Sequence, residues 1–161
     1  GEPVRLDVAE IAVEQAFKAP MDPKHVEHQV PLNPAETVRR WVDQRLSAAG
    51  VEGTATVDIE TASLVHEKLD TEGGITGFFT TETAARYVAE LALSVDIEMV
   101  GQTTTTRITA RRTKGLPEGA SVHQRDKAAY ELVKTLVRDT GAELAQTLRR
   151  RNVTVASGGG A

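Results

Sequence analysis

Four histidines and no cysteine bound the chemistry open to this 161-residue chain. His25 and His28, in the run His-Val-Glu-His with Asp22 and Glu27 close by, are the nearest approach to a metal pair. Two neutral imidazoles and a carboxylate converging on one ion would make a ligand set, held in place by further hydrogen-bond partners. Pro20, Pro23 and Pro31 surround the pair and no third ligand follows at a regular spacing, so exposed loop histidines are the simpler expectation. His66, beside Glu67, and His123, beside a helix-start signal, could each act as general acid or base if a carboxylate oriented the ring. Neither has a nucleophile at a recognisable spacing. The lack of cysteine excludes disulfides, thiol catalysis and zinc-thiolate sites together. The expectation is a chain with no catalytic residue, no cofactor and no metal.

Glu60, Glu90, Asp96 and Glu98 resemble paired carboxylates for acid-base work. Alternation puts the last three on the polar side of one strand, where cross-strand pairing with Arg107 and Arg111 is the plainer account. Gly73-Gly74-Ile75-Thr76-Gly77 has the look of a phosphate-cradling loop but lacks the following Lys-Ser/Thr. Ile75, Phe78 and Phe79 stand out in that Gly- and Thr-rich stretch, as a lid folded over the core or as an apolar anchor for a lipid, a membrane surface or a protein partner. They are the candidate contact residues. Trp41 falls on the apolar stripe of a helix and is expected in the core, its indole N–H needing an acceptor or water.

The elements that would position these residues are led by one long hairpin. Tyr87, Ala89, Leu91, Leu93, Val95, Ile97 and Met99 alternate without a break against more polar neighbours, a period of two. A two-residue turn at Gly101-Gln102 would face Val100 to Thr103, Met99 to Thr104, Ile97 to Thr106, Val95 to Ile108, Leu93 to Ala110, and Asp96 to Arg107. Val4 to Phe17 reads as a first strand whose change of phase predicts a bulge or a strand buried in part on both faces. Lys18 to Leu32 reads as an extended arm. Asn33, Pro34 and Glu36 start a helix that Gly50 would stop, with Val38, Trp41, Val42 and Leu46 on its apolar side. Thr54 to about Leu69 is another strand. Asp70 to Ala85 is a long loop, and Ser121 with Gln124 caps a closing helix that runs to about Arg150. Gly141 would weaken that helix by about 1 kcal/mol relative to alanine at an exposed site.

The order β-α-β-β-β-α predicts an α+β two-layer sandwich, a four-stranded mainly antiparallel sheet with both helices on one face. The other face would be exposed or covered by a partner. Residues 1–156 would form a single domain, with Ser157 to Ala161 a flexible tail. A formal charge of -4 and a pI near 5.6 argue against a nucleic-acid surface. The basic runs Arg111 to Lys114 and Arg149 to Arg151 flank a strand end and a helix C-terminus. No apolar run approaches the roughly 20 residues of a transmembrane helix. The chain opens Gly-Glu-Pro rather than with Met, which points to a removed N-terminal segment, a signal peptide with a lipidated Cys among the candidates.

Asn33-Pro34-Ala35-Glu36 with Arg40-Trp41-Val42 and Arg45-Leu46, and Gly77-Phe78-Phe79-Thr80 with Arg86-Tyr87, resemble a group of uncharacterised proteobacterial lipoproteins. With the element order, the chain is more distantly similar to the lipopolysaccharide-assembly lipoprotein and to auxiliary lipoproteins of ABC-type transporters. The resemblance implies an N-terminal lipid anchor, a domain on the periplasmic side of the envelope, and a role in holding a partner or envelope component. It carries no functional residues. Three readings follow: an envelope protein binding a protein or lipid-like partner through the Phe78 loop or the open sheet face; a small enzyme or ligand-binding domain using His66 or His123; and a subunit that self-associates by its hairpin edges. A cytoplasmic location is the alternative to the envelope.

Overall fold

The period-two alternation of the hairpin divides the molecule into a dry side and a wet side. The computed structural model describes residues 3–69 and 83–155. Its elements are β1 (Val4–Leu6), β2 (Glu10–Gln15), α1 (Pro34–Arg45), β3 (Leu46–Ala48), β4 (Thr54–Lys68), β5 (Ala85–Met99), β6 (Gln102–Leu116) and α2 (Val122–Arg150). Strands β2-β4-β5-β6 form one sheet, parallel between β2 and β4 and antiparallel elsewhere, and β1 with β3 forms a small parallel pair. Both helices cover one face. Ala89, Leu91, Leu93, Val95 and Ile97 of β5 bury there with Val57, Ile59 and Leu64 of β4, Val38 of α1, and Val133, Leu136, Leu144 and Leu148 of α2. The 29 residues of α2 rise roughly 43 Å, enough to lie along most of the hairpin it covers. The expected α+β sandwich is therefore present, with a small second sheet added.

Four local expectations change. The turn is Val100-Gly101, with Gly101 at φ +76°, the positive value a type II turn places at its second central residue. Met99 therefore faces Gln102, Ile97 faces Thr104, Val95 faces Thr106, Leu93 faces Ile108, and Asp96 faces Thr105 rather than Arg107. A slip of two residues keeps every side chain on its expected face, so hydrophobic pattern alone could not detect it. The first strand is not bulged but broken: Asp7 to Ala9 lie between β1 and β2, which join different sheets. Helix α1 ends at Arg45, and the next three residues become β3 because β1 offers them a parallel partner. Gly50 is thus not the helix stop. A side chain there would collide with the backbone of Asp7 and Val8, whose carbonyl accepts from the Gly50 N–H at 2.9 Å.

The arm is docked rather than loose. Strand β2 pairs with β4 only as far as Ile59, and beyond it the arm takes the same edge: Val26 N–H donates to the Leu64 carbonyl (2.9 Å) and His66 N–H to that of Lys24 (2.8 Å). Asn33 ends the arm and caps α1, accepting from Glu36 N–H at 3.1 Å through Oδ1. Ser121 and Gln124 form the expected reciprocal capping box on α2. The expected tail Ser157 to Ala161 and the segment carrying Ile75, Phe78 and Phe79 lie outside the described residues.

Thr140 is fully buried on α2 with no hydrogen-bond partner for its hydroxyl. Thr140→Val keeps the shape and removes the desolvated group, so it is expected to raise stability by about 1 kcal/mol. Urea unfolding should show a higher midpoint at unchanged slope; a lower midpoint would mean the hydroxyl is used.

Candidate functional site

The face of the sheet away from the helices is a polar ladder. Thr56, Asp58, Thr61 and Ser63 of β4 lie beside Glu90, Ala92, Ser94 and Asp96 of β5, and these beside Thr105, Arg107, Thr109 and Arg111 of β6. The β4–β5 register shifts between Ile59 and Thr61, so Glu60 has no partner of its own on β5. That bulge lets Glu60 reach past β5 to Arg107, whose Nε donates to it at 2.7 Å. Arg111 pairs with Glu90 at 3.2 Å as expected, while Asp96 accepts from the Thr105 hydroxyl at 2.7 Å instead of from Arg107. Between the two ion pairs lies a shallow recess of about 420 Å³, lined by Thr61, Ala92 and Thr109 among others. Small hydroxyls framed by fixed charges can hydrogen-bond a protein surface; with only Leu91, Ala92 and Ala110 as apolar lining, they give an acyl chain little to bury against.

One edge of the sheet is β2, and the hairpin's free edge is β6. Arg151 Nη1 covers the Thr105 carbonyl at 2.9 Å and Arg112 Nη1 the Arg111 carbonyl at 3.0 Å. The strand holds Arg107, Arg111, Arg112 and Lys114 and no carboxylate. Two copies aligned edge to edge would oppose like charges, which disfavours the self-associating reading.

The histidines fall in three different settings. His25 faces Glu27 at 2.7 Å, and Glu27, only 2% exposed, also accepts from Leu64 N–H at 3.0 Å. This buried carboxylate fastens the arm to β4 and has one oxygen left unpaired. His28 is exposed and takes no part, and no cluster of three or more potential metal ligands occurs among the described residues. His123 is exposed at the start of α2. His66 stacks edge-on against Tyr87 with ring centroids 5.4 Å apart, in a cleft of about 370 Å³ that Gln29, Arg125 and Asp126 also line. Burial pushes the Tyr87 phenol above its ordinary pKa; Arg125 opposes that shift and Asp126 adds to it.

A fourth feature escaped the sequence reading. Trp41 is only partly buried, because it lines an open cleft between the two helices, and its ring lies against Gly141 of α2, where a Cβ would collide with the indole. Gly141 is therefore buried and sets how closely the two helices approach. Beside this contact a cleft of about 410 Å³ opens between α1 and α2. Only half of it has a local mark: Arg40 and Arg45 flank the tryptophan on α1, while the other wall comes from α2, far along the chain.

No family model matches the chain and no curated protein matches it. Among solved structures, the rare lipoprotein B from Shewanella oneidensis is similar over 89% of this chain and 96% of its own, at 12% identity and a TM-score of 0.48. A minor lipoprotein from Acinetobacter baumannii is similar over 94% of this chain and 99% of its own, at 12% identity and a TM-score of 0.49. Likeness at this level assigns neither family nor activity.

Gly141→Ala should destabilise the protein by about 1–3 kcal/mol despite alanine's better helix propensity, through overpacking against the indole. Trp41→Leu in the same chain should recover part of the loss in a double-mutant cycle, whereas additive effects would place the clash elsewhere. Tyr87 holds its proton more tightly folded than unfolded. Its contribution is thus complete below the ordinary phenol pKa and lost as pH rises through the folded value. Alkaline unfolding series should show this loss in the native chain and not in Tyr87→Phe.

Proposed function

We propose that this is the periplasm-facing domain of a lipid-anchored envelope protein, without catalytic activity of its own, that holds a protein partner on the uncovered face of its sheet. The observation that carries the reading is the division of faces. Two helices occupy one side of the β2-β4-β5-β6 sheet, while the other is a ladder of mostly threonines, serines and Arg–Glu pairs, with Val65, Val88 and Ala92 among them, on which neither described helix packs. Its polarity favours a protein over a lipid-like ligand there. The resemblance at Asn33-Pro34-Ala35-Glu36 and Arg40-Trp41-Val42 supports the envelope and the anchor, and no helix among the described residues is long and apolar enough to cross a membrane itself. Ile75, Phe78 and Phe79 keep a place in this reading as an apolar contact to the partner or the membrane surface, on residue type alone.

Two measurements test it. The full-length gene product, expressed in its own host with labelled palmitate, should carry label into the membrane fraction and lose it when the cysteine of its signal sequence is replaced. Thr109→Lys, at an exposed position of this face, should change stability by less than about 0.5 kcal/mol yet abolish retention of a partner from detergent-solubilised envelopes. Unlabelled protein contradicts the anchor, and undiminished retention contradicts the face.

The cleft at His66 supports a second reading, a ligand-binding or catalytic domain. His66, Tyr87, Arg125 and Asp126 put an imidazole, a phenol and two opposite charges around one opening. A small molecule bound there would shift the His66 imidazole resonances; a fragment screen that leaves them unmoved counts against this reading.

A further inference from the structure

The cleft between the helices is a separate surface, on the opposite side of the sheet from the polar ladder. Its α1 wall is Thr37, Arg40, Trp41, Gln44 and Arg45, and its α2 wall runs from Lys134 through Val137, Arg138, Gly141 and Ala142 to Ala145. Both sets follow three- and four-residue spacing, so the cleft is a trough between two helix ridges, roughly 16 Å long on the α2 side. Small side chains and the indole make its floor. Arg40, Arg45, Lys134 and Arg138 stand along it, and no carboxylate is among the lining residues.

These cations are poorly compensated. Arg138 has an exposed pair with its neighbour Asp139 at 3.2 Å, and Lys134 sits over the Tyr130 ring at 5.8 Å. The Arg45 Nε is buried with no hydrogen-bond partner. In a chain of net charge -4, this apolar trough with positive charge on both walls differs from the two other recesses described, which have Glu90 and Asp126 on their walls.

We propose that this trough is a docking site for an acidic amphipathic helix of a protein partner. A third helix laid between two others presents its own ridge of apolar side chains to the floor, while carboxylates on either flank of that ridge meet one cationic wall each. An anionic lipid fits less well. Its charge is concentrated at one end, whereas the cations here are spread over both walls, and the open trough would leave an acyl chain half in water.

Trp41 is the sole tryptophan and therefore reports on the site directly. The probe is a synthetic peptide of about 16 residues, roughly 24 Å of helix, with leucines along one stripe and glutamates on both flanks. Its partner peptide carries lysines in place of the glutamates. The acidic peptide is expected to shift Trp41 emission to the blue, with an affinity that falls as salt is raised. Arg40→Glu with Lys134→Glu, both at exposed positions, is expected to weaken binding about tenfold or more while circular dichroism and the unfolding midpoint stay near those of the native chain. The milder Arg40→Ala with Lys134→Ala serves if the reversals unfold the chain, and is expected to weaken binding in the same direction. Absence of a shift, equal response to the lysine peptide, or a response to phosphatidylglycerol vesicles but not to the acidic peptide each overturn the proposal. Because the polar sheet face is not involved, these outcomes are independent of the partner assigned to it.

Discussion

A strand that alternates in period two can bury only one of its faces, and in this molecule that constraint operates over the whole of β5. Every apolar residue from Ala89 to Ile97 in that phase points to the same side, so the covering layer must be there. Helix α2 supplies it along β5 and β6, and α1 along β4. What is left on the other side is mostly Thr, Ser, Asp, Glu and Arg, with Ala92, Val65 and Val88 among them, arranged by the same register into neighbouring pairs. The open face follows from the core rather than being added to it. Partner binding there can change through surface residues without disturbing the packing that holds the sheet.

The second organising contact is between a large ring and an absent side chain. Trp41 against Gly141 brings α1 and α2 together at a spacing no other residue at position 141 would permit. The indole occupies the point of closest approach and leaves a trough beside it. A glycine that looks like a weak point in a long helix is thus what fixes the geometry of the helix layer. Glu27 plays a comparable part for the arm: by holding His25 and the Leu64 N–H it closes the half of the β4 edge that β2 leaves open.

Much of this could be read from the residues, and the failures have physical causes. Repeating signals, the alternation of β5 and the apolar stripe of α2, were legible because every residue in the element contributes to them. So were both helix starts, since Asn33 and Ser121 act on backbone groups within three residues. The hairpin register was not, because a two-residue slip leaves the pattern of faces unchanged and only the turn geometry at Gly101 distinguishes the alternatives. Strand β3 and the docked arm depend on partners far along the chain. The cationic trough was missed for the same reason: Arg40 and Arg45 come together with Lys134 and Arg138 only after two helices pack. The salt pairing of the sheet face was legible for Glu90 with Arg111, but the bulge that sends Glu60 to Arg107 left no local mark.

If the polar face of the sheet holds a protein partner, residues on that face lie against it in the cell. Site-specific photo-crosslinking in living cells tests this most directly, with the photoreactive residue placed at Thr109 on the open face and, for comparison, at Glu143 on the exposed side of α2. A discrete adduct with an envelope protein is expected from Thr109 and none from Glu143. No adduct from Thr109, or one identical pattern from both positions, would contradict it.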